Sequence, residues 1–232
     1  MSRIRIEQLG ITKAGTECIV NAANENLQAG GGVCGVIFQA AGYKQLQKAC
    51  DDIGYCNTGS AVITPAYNLN AKYIIHAVGP VWYGGKKKEP QKLYGCYKAS
   101  LNLAKDYGCH SIAFPLISAG IFGYPKDQAW RKALQACNDF IHDNPDYDMD
   151  ILFMDLKTDA RLRKALKQEI TDAIVIIVAQ RVSTILDADR IIVLDEGRVA
   201  GMGRHEELLR ECPLYYEIAA SQLSEEELQH VR

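Results

Sequence analysis

Two glycine-rich loops carry the strongest chemical signal in this chain of 232 residues. In the first, Asn21-Ala22-Ala23-Asn24 precedes Gly30-Gly31-Gly32-Val33-Cys34-Gly35, between a strand pattern and an apolar helix starting near Val33. Consecutive glycines there let backbone amides approach an anion, and the helix N-terminus adds the positive end of its dipole. The second loop, Ser118-Ala119-Gly120-Ile121-Phe122-Gly123-Tyr124-Pro125, again joins a strand to a helix. Two such loops at the C-terminal ends of strands could hold a diphosphate from both sides, where open α/β sheets bind ligands. Neither loop fits G-x-x-x-x-G-K-[ST], and neither is G-x-G-x-x-G with an acid about 20 residues on. Gly84-Gly85-Lys86-Lys87-Lys88 lacks the Ser or Thr of a phosphate loop and reads as solvated. His76 lies in an apolar strand and reads as a satisfied core residue, whereas His110 and His142 read as surface residues. No serine in these loops has a matching histidine and acid, so a catalytic triad is not supported.

The eight cysteines form no C-x-x-C pair, and the nearest two, Cys50 and Cys56, are six apart. That spacing suits neither a zinc ribbon nor a redox dithiol, so no metal is expected and the thiols read as small core hydrophobes. Cys34 stands apart because of its place beside the glycines.

The surrounding chain supplies elements able to position these loops. A 48% hydrophobic and 23% charged composition excludes disorder and collagen-like repeats. The balance of 26 basic against 28 acidic residues gives −2, which argues against nucleic acid or anionic membrane as the main partner. The longest apolar run, Ala173 to Ala179, has seven residues, whereas a spanning helix needs about 20. With no apolar leader at the N-terminus, the expected address is the cytoplasm. Short apolar strands are expected at Ile4–Leu9, Cys18–Ala22, Ala61–Thr64, Tyr73–Val78, Ile112–Ile117 and Ile151–Met154. They alternate with helical patterns at about 89–107, closed by Gly108, and at 127–141, where Trp130, Ala133, Leu134, Cys137, Phe140 and Ile141 form one stripe. The rhythm predicts an α/β layered fold.

Residues 1 to about 155 resemble a macrodomain, the module that binds ADP-ribose and in many members hydrolyses its conjugates. The resemblance rests on Ile19 through Asn24, Gly30–Gly35, Ala40-Ala41-Gly42, Thr58-Gly59-Ser60-Ala61, Ile74 through Pro80, and Ile112 through Pro125. It implies a three-layer α/β/α fold with a mixed central sheet and no cofactor. By the same resemblance, Ile11, Asn21, Asn24, Gly31, Gly32, Val33, Ser118, Ala119, Gly120, Ile121 and Phe122 form the ligand site. Asn24 and Phe122 would meet the distal ribose, and the Gly31, Gly32 and Val33 amides the diphosphate. Asn24, Gly32 and Cys34 are the catalytic candidates. Three positions depart from the family pattern. Gly10 stands where an aspartate accepts from the adenine amino group, Cys34 replaces an aspartate found in many hydrolytic members, and Phe38 replaces a frequent histidine and reads as packing. A thiol is a poor base near neutral pH unless a helix N-terminus assists it.

From about Leu156 to Glu227 the chain looks like the C-terminal end of an ABC-transporter ATPase domain of the exporter type. The carrying stretches are Thr171 through Thr184, Ala188 through Val199, and Gly203 through Leu209. The phosphate-binding lysine loop and the signature motif are missing, and Gln180 stands where the family has a histidine, so neither ATP binding nor ATPase activity is expected. The expected division is a macrodomain over 1–155, a closing helix over about 156–170, and an annex over 171–232. In the annex, a strand at Ala173–Ala179 is expected to dock on the same sheet beside Ile151–Met154 and to pair with Arg190–Leu194. Asp195-Glu196-Gly197 reads as a hairpin turn, and two helices follow. Three functions remain open: hydrolysis of ADP-ribosyl conjugates of acidic side chains or of an acetyl ester, binding of ADP-ribose or of an ADP-ribosylated protein without catalysis, and an inert chimeric fold.

Overall fold

In the computed structural model, which describes residues 2–7, 9–154, 175–178, 182–186 and 188–223, the apolar runs become strands covered by helices. They are β1 (Arg3–Glu7), β2 (Cys18–Ala22), β3 (Ala61–Pro65), β4 (Tyr73–Ala77), β5 (Ser111–Pro115), β6 (Asp150–Met154) and β7 (Val175–Val178). These seven form one sheet in the order β3-β4-β2-β5-β6-β1-β7. Pairing from β4 through β2, β5 and β6 to β1 is parallel, and β3 runs antiparallel to β4 at the edge. The sheet is therefore mixed, as expected.

Alternation along the strands sorts side chains between two helical layers. Ile19, Ile74, Ala113 and Leu152 cluster with Cys34, Ile37, Phe38 and Ala41 of α1 (Gly32–Ala41) and with Leu46 and Cys50 of α2 (Tyr43–Ile53). On the other face Phe114 and Phe153 stack 5.6 Å apart. Tyr97 of α3 (Glu89–Asp106) approaches Phe114 at 5.2 Å, and Trp130 of α4 (Lys126–Asp143) meets Phe153 edge-on at 5.1 Å. Phe38 is fully buried, in keeping with a packing role.

Of the six strands β1 to β6, β1 and β5 end two residues short of the sequence expectation, and the other limits agree to within one residue. β1 ends at Glu7, short of Leu9, and β5 ends at Pro115 because the Ile117 N–H turns away to the Tyr97 hydroxyl at 2.9 Å. The placement of the C-terminal segment is also corrected. β7 stands next to β1 and not next to Ile151–Met154, since β6 is already paired on both sides, by β5 and β1. Nor does β7 pair with the strand near Arg190–Leu194. That strand, β8 (Ile191–Asp195), pairs with β9 (Arg198–Gly203) in a separate two-stranded sheet. The expected closing helix over 156–170 lies outside the described residues, as do Ala173, Ile174 and Ala179.

The chain divides into two compact units, Met1–Ile176 and Ile177–Arg232. In the second, Glu196 (φ 45°) and Gly197 (φ 79°) make the tight hairpin turn, the left-handed pair that suits the twist of two-residue hairpins. Ile191 and Val193 pack against Leu208 of α5 (His205–Glu211) and Tyr215 of α6 (Pro213–Ala220). The Tyr215 hydroxyl lies 2.8 Å from His205 Nδ1. All eight cysteines are free and buried, seven in the first unit and Cys212 in the second. Among the described residues no helix is long and apolar enough to cross a membrane.

Candidate functional site

The sheet opens between β2 and β5. β2 pairs with β4 along all five residues, and β5 pairs with β6 along five, but β2 and β5 are in register only at Cys18 with Ile112 and Ile19 with Ala113. Beyond those pairs the two central strands part, and both glycine loops leave from their C-terminal ends. The strand order also reverses direction here, with β3 and β4 to one side and β6 to the other, the position where α/β sheets place ligands.

Asn24 closes the turn that follows β2. Its Oδ1 accepts the Gln28 N–H at 3.1 Å and its Nδ2 donates to the Gln28 carbonyl at 2.7 Å. Buried Leu27, at φ 55°, pins the turn from below. From α2, the Gln47 side chain takes the Ala29 N–H at 3.0 Å. Gln47 and Gln28 both donate to Asp51 at 2.9 Å. These bonds hold the glycine run against α2. The chain then enters α1 through Gly31 and Gly32, the latter at φ 62°, with no side chain capping the first turn. Gly31, Gly32 and Val33 are exposed. The first amides of a helix lack intrahelical acceptors, so this end presents N–H groups and a positive dipole to whatever lies in the opening.

The second loop is held as firmly. Ser118 adopts φ 64°, the Tyr124 N–H donates to the Ser118 carbonyl at 3.0 Å, and the Gly123 N–H donates to Gly120 at 3.0 Å. The Trp82 N–H donates to the Phe122 carbonyl at 2.9 Å, which ties the loop to the segment after β4. Gly79 makes the closest approach: a Cβ there would lie 2.2 Å from Ser118 Oγ and 2.5 Å from Ile117 Cγ2. Because β2 lies between β4 and β5, this contact spans the end of β2. Ser118 Oγ is buried and has no hydrogen-bond partner among the described residues. At the tip, Ile121 is 87% exposed.

Asn24, Gly31, Gly32 and Val33 of the first loop and Ser118, Ala119, Gly120, Ile121 and Phe122 of the second therefore leave adjacent strand ends. Three other candidates are placed differently. Asn21 is 1% exposed and turns toward the α1 and α2 layer, with Nδ2 3.1 Å from His76 Nδ1. Ile11 sits in a short 3₁₀ turn, Ile11–Lys13, buried in the same apolar cluster as Cys34. The Cys34 thiol belongs to that cluster also, beneath the first turn of α1. His76 is a core residue: Nε2 lies 3.0 Å from Thr64 Oγ1, and burial lowers its pKa to about 4, keeping it neutral. Gly10 is exposed, and a Cβ on it would meet nothing within 4 Å. Gln47, Asp51, Tyr97 and the Gly79 contact were not legible as site features. Helical periodicity gives the face of a glutamine but not the loop it braces.

The model of the Macro domain family matches residues 20–133. An O-acetyl-ADP-ribose deacetylase of Salmonella gallinarum is 49% identical over 144 residues, spanning 60% of this chain and 80% of that protein. A macro domain-containing protein of Methanosarcina mazei is 48% identical over 144 residues, or 62% of this chain and 76% of the relative. Among solved structures, the Oceanobacillus iheyensis macrodomain with ADP superposes with a TM-score of 0.65 at 36% identity, covering 70% of this chain and 88% of that one. The Trypanosoma brucei macrodomain in complex with ADP-ribose gives 0.64 at 34% identity, covering 71% and 69%.

Proposed function

The chain belongs to the macro domain family, and we propose that it binds ADP-ribose in the opening between β2 and β5 and hydrolyses esters of it. One observation carries this reading. Two rigid loops, one ending in an uncapped helix N-terminus, leave the only part of the β2–β5 border where the strands are unpaired. Backbone N–H groups there neutralise a diphosphate without a side-chain charge. The Gly31, Gly32 and Val33 amides take the diphosphate, the Ser118–Phe122 loop covers it, and Asn24 orients the distal ribose. In the reaction, water adds to the ester joining ADP-ribose to an acetyl group or an acidic side chain. The ester C–O bond breaks, and ADP-ribose and the free acid leave. Gly32 keeps the approach to the phosphates open, and Cys34 stands where a base would.

The burial of Cys34 favours a second reading, a module that binds ADP-ribose without turnover. Calorimetric titration with ADP-ribose, together with acetate release from O-acetyl-ADP-ribose, separates the two. Gly32→Glu places a carboxylate on the diphosphate and should abolish binding. Unchanged binding by that variant would remove the cleft assignment.

The proposed division is a macrodomain over 1–155 with a closing helix over 156–170, followed by an annex over 171–232 derived from the end of an ABC ATPase domain. Its support is the order of the stretches around Ala188–Val199 and Gly203–Leu209. Since the stretch lacks a phosphate-binding lysine loop, no ATP turnover is proposed. A nucleotide-release assay showing hydrolysis of ATP would contradict that.

A further inference from the structure

Beside the opening, the segment after β4 carries three consecutive lysines, Lys86, Lys87 and Lys88, all exposed, in a chain whose net charge is −2. A solvated linker needs no internal scaffold, but this loop has one. Glu89, the first residue of α3, is 1% exposed. Its Oε1 accepts the N–H groups of Tyr83 at 3.0 Å and Gly85 at 3.2 Å, and its Oε2 accepts that of Lys87. A carboxylate this enclosed is costly unless its lone pairs are filled, and here all three donors come from the lysine loop. At its other end the Trp82 ring packs 4.5 Å from Tyr124, and the Trp82 N–H holds Phe122 of the second glycine loop. Lys88 is fixed at φ 59°. No ion pair engages the three lysines among the described residues. The buried acid thus fixes the backbone of a loop that carries three exposed lysines and runs on directly from Trp82, which holds the second glycine loop.

We propose that this loop receives the carboxylates of a polypeptide bearing ADP-ribose, so that the substrate class is an ADP-ribosylated acidic peptide segment. The proposal rests on the reading of the opening as the ADP-ribose site. Acidic peptide fits better than a single-stranded nucleic acid for two reasons. One face of the exposed Tyr83 ring is already occupied by Lys87 Nζ at 4.2 Å from its centroid, which competes with the base stacking such strands use. The net negative charge also opposes a long polyanion.

The test uses the full chain and two peptides carrying ADP-ribose through a hydrolysis-resistant link, one flanked by glutamates and one by glutamines. At low salt the parent should bind the glutamate peptide about tenfold more tightly, and the preference should shrink as salt rises. Replacing Lys86, Lys87 and Lys88 by Ser should erase the preference while leaving the affinity for free ADP-ribose unchanged. Glu89→Gln, which keeps all three lysines, should weaken the preference, because the backbone that carries them loses the acceptor that fixes its shape. Equal binding of the two peptides by the parent, a preference surviving in the triple serine variant, or an undiminished preference in Glu89→Gln overturns the proposal, as does tighter binding of a 12-residue oligothymidylate than of the glutamate peptide. Unmodified versions of both peptides separate the two readings. If ADP-ribose fails to bind but the unmodified glutamate peptide is still favoured through the lysines, the cleft reading fails and the loop assignment stands.

Discussion

Asn24 has two tasks that a substitution can separate. Its amide group staples its own loop through Gln28, and by the proposed function it also orients the distal ribose. Asn24→Ala should lower turnover of O-acetyl-ADP-ribose at least hundredfold, while affinity for ADP-ribose changes by less than tenfold because phosphate contacts dominate binding. Equal losses in both measurements would reduce Asn24 to a loop staple. At Gly79, an added methyl group would drive into Ser118 and Ile117. Gly79→Ala is therefore expected to destabilise the chain by about 1–3 kcal/mol and to weaken ADP-ribose binding by shifting the second loop, as read by urea denaturation and calorimetry on the same sample. Gly10 gives the opposite case. The backbone there is extended, at φ −70° and ψ 136°, and the surrounding space is open. Gly10→Asp restores the acid that the family resemblance assigns to the adenine amino group. It should tighten ADP-ribose binding by about ten- to a hundredfold, as a hydrogen bond to a charged group of about 1.5–3 kcal/mol implies. No gain in affinity would mean that adenine lies elsewhere.

At the scale of elements, β2, β3 and β4 share a polar seam within their apolar face: Asn21, His76 and Thr64 are linked side by side, with the Cys50 sulfur 3.8 Å from His76 Nε2. Burial lowers the His76 pKa from 6.5 to about 4, so the folded chain binds fewer protons than the unfolded chain between those values. Stability from this source is intact above pH 6.5 and falls as the pH drops toward 4, by about 3 kcal/mol at most at 1.36 kcal/mol per unit. Urea midpoints at pH 7, 5 and 4 should trace that slope, and His76→Gln should flatten it. A variant with the parent's slope would place the acid sensitivity elsewhere. The same seam marks what could be read in advance. The apolar strands, the helical stripe around Trp130 and the hairpin at Gly197 follow from local pattern, and the two glycine loops were legible because backbone donors near a helix start need glycine. The parting of β2 from β5, the inward turn of Asn21 and the β7–β1 neighbourhood depend on register between strands far apart in sequence. Periodicity within one strand carries no trace of that register.

At the scale of the whole molecule, the two units have separate apolar clusters, and each buries its thiols. Burial also disfavours the reactive thiolate, raising the Cys50 pKa to about 12 and pushing those of Cys18, Cys96 and Cys137 up as well. Under native conditions an alkylating reagent should therefore modify the folded chain far more slowly than the urea-unfolded chain, where all eight sites should react. Rapid native labelling at several positions would contradict the packing described here. The distribution of the thiols makes them a set of internal clocks. Cys212 keeps time for the opening of the second unit alone, and the other seven keep time for the first. A mass spectrum taken during slow labelling thus resolves two ladders without any introduced probe. ADP-ribose, if bound where proposed, should retard the ladder of seven and leave the Cys212 rung running at its own pace.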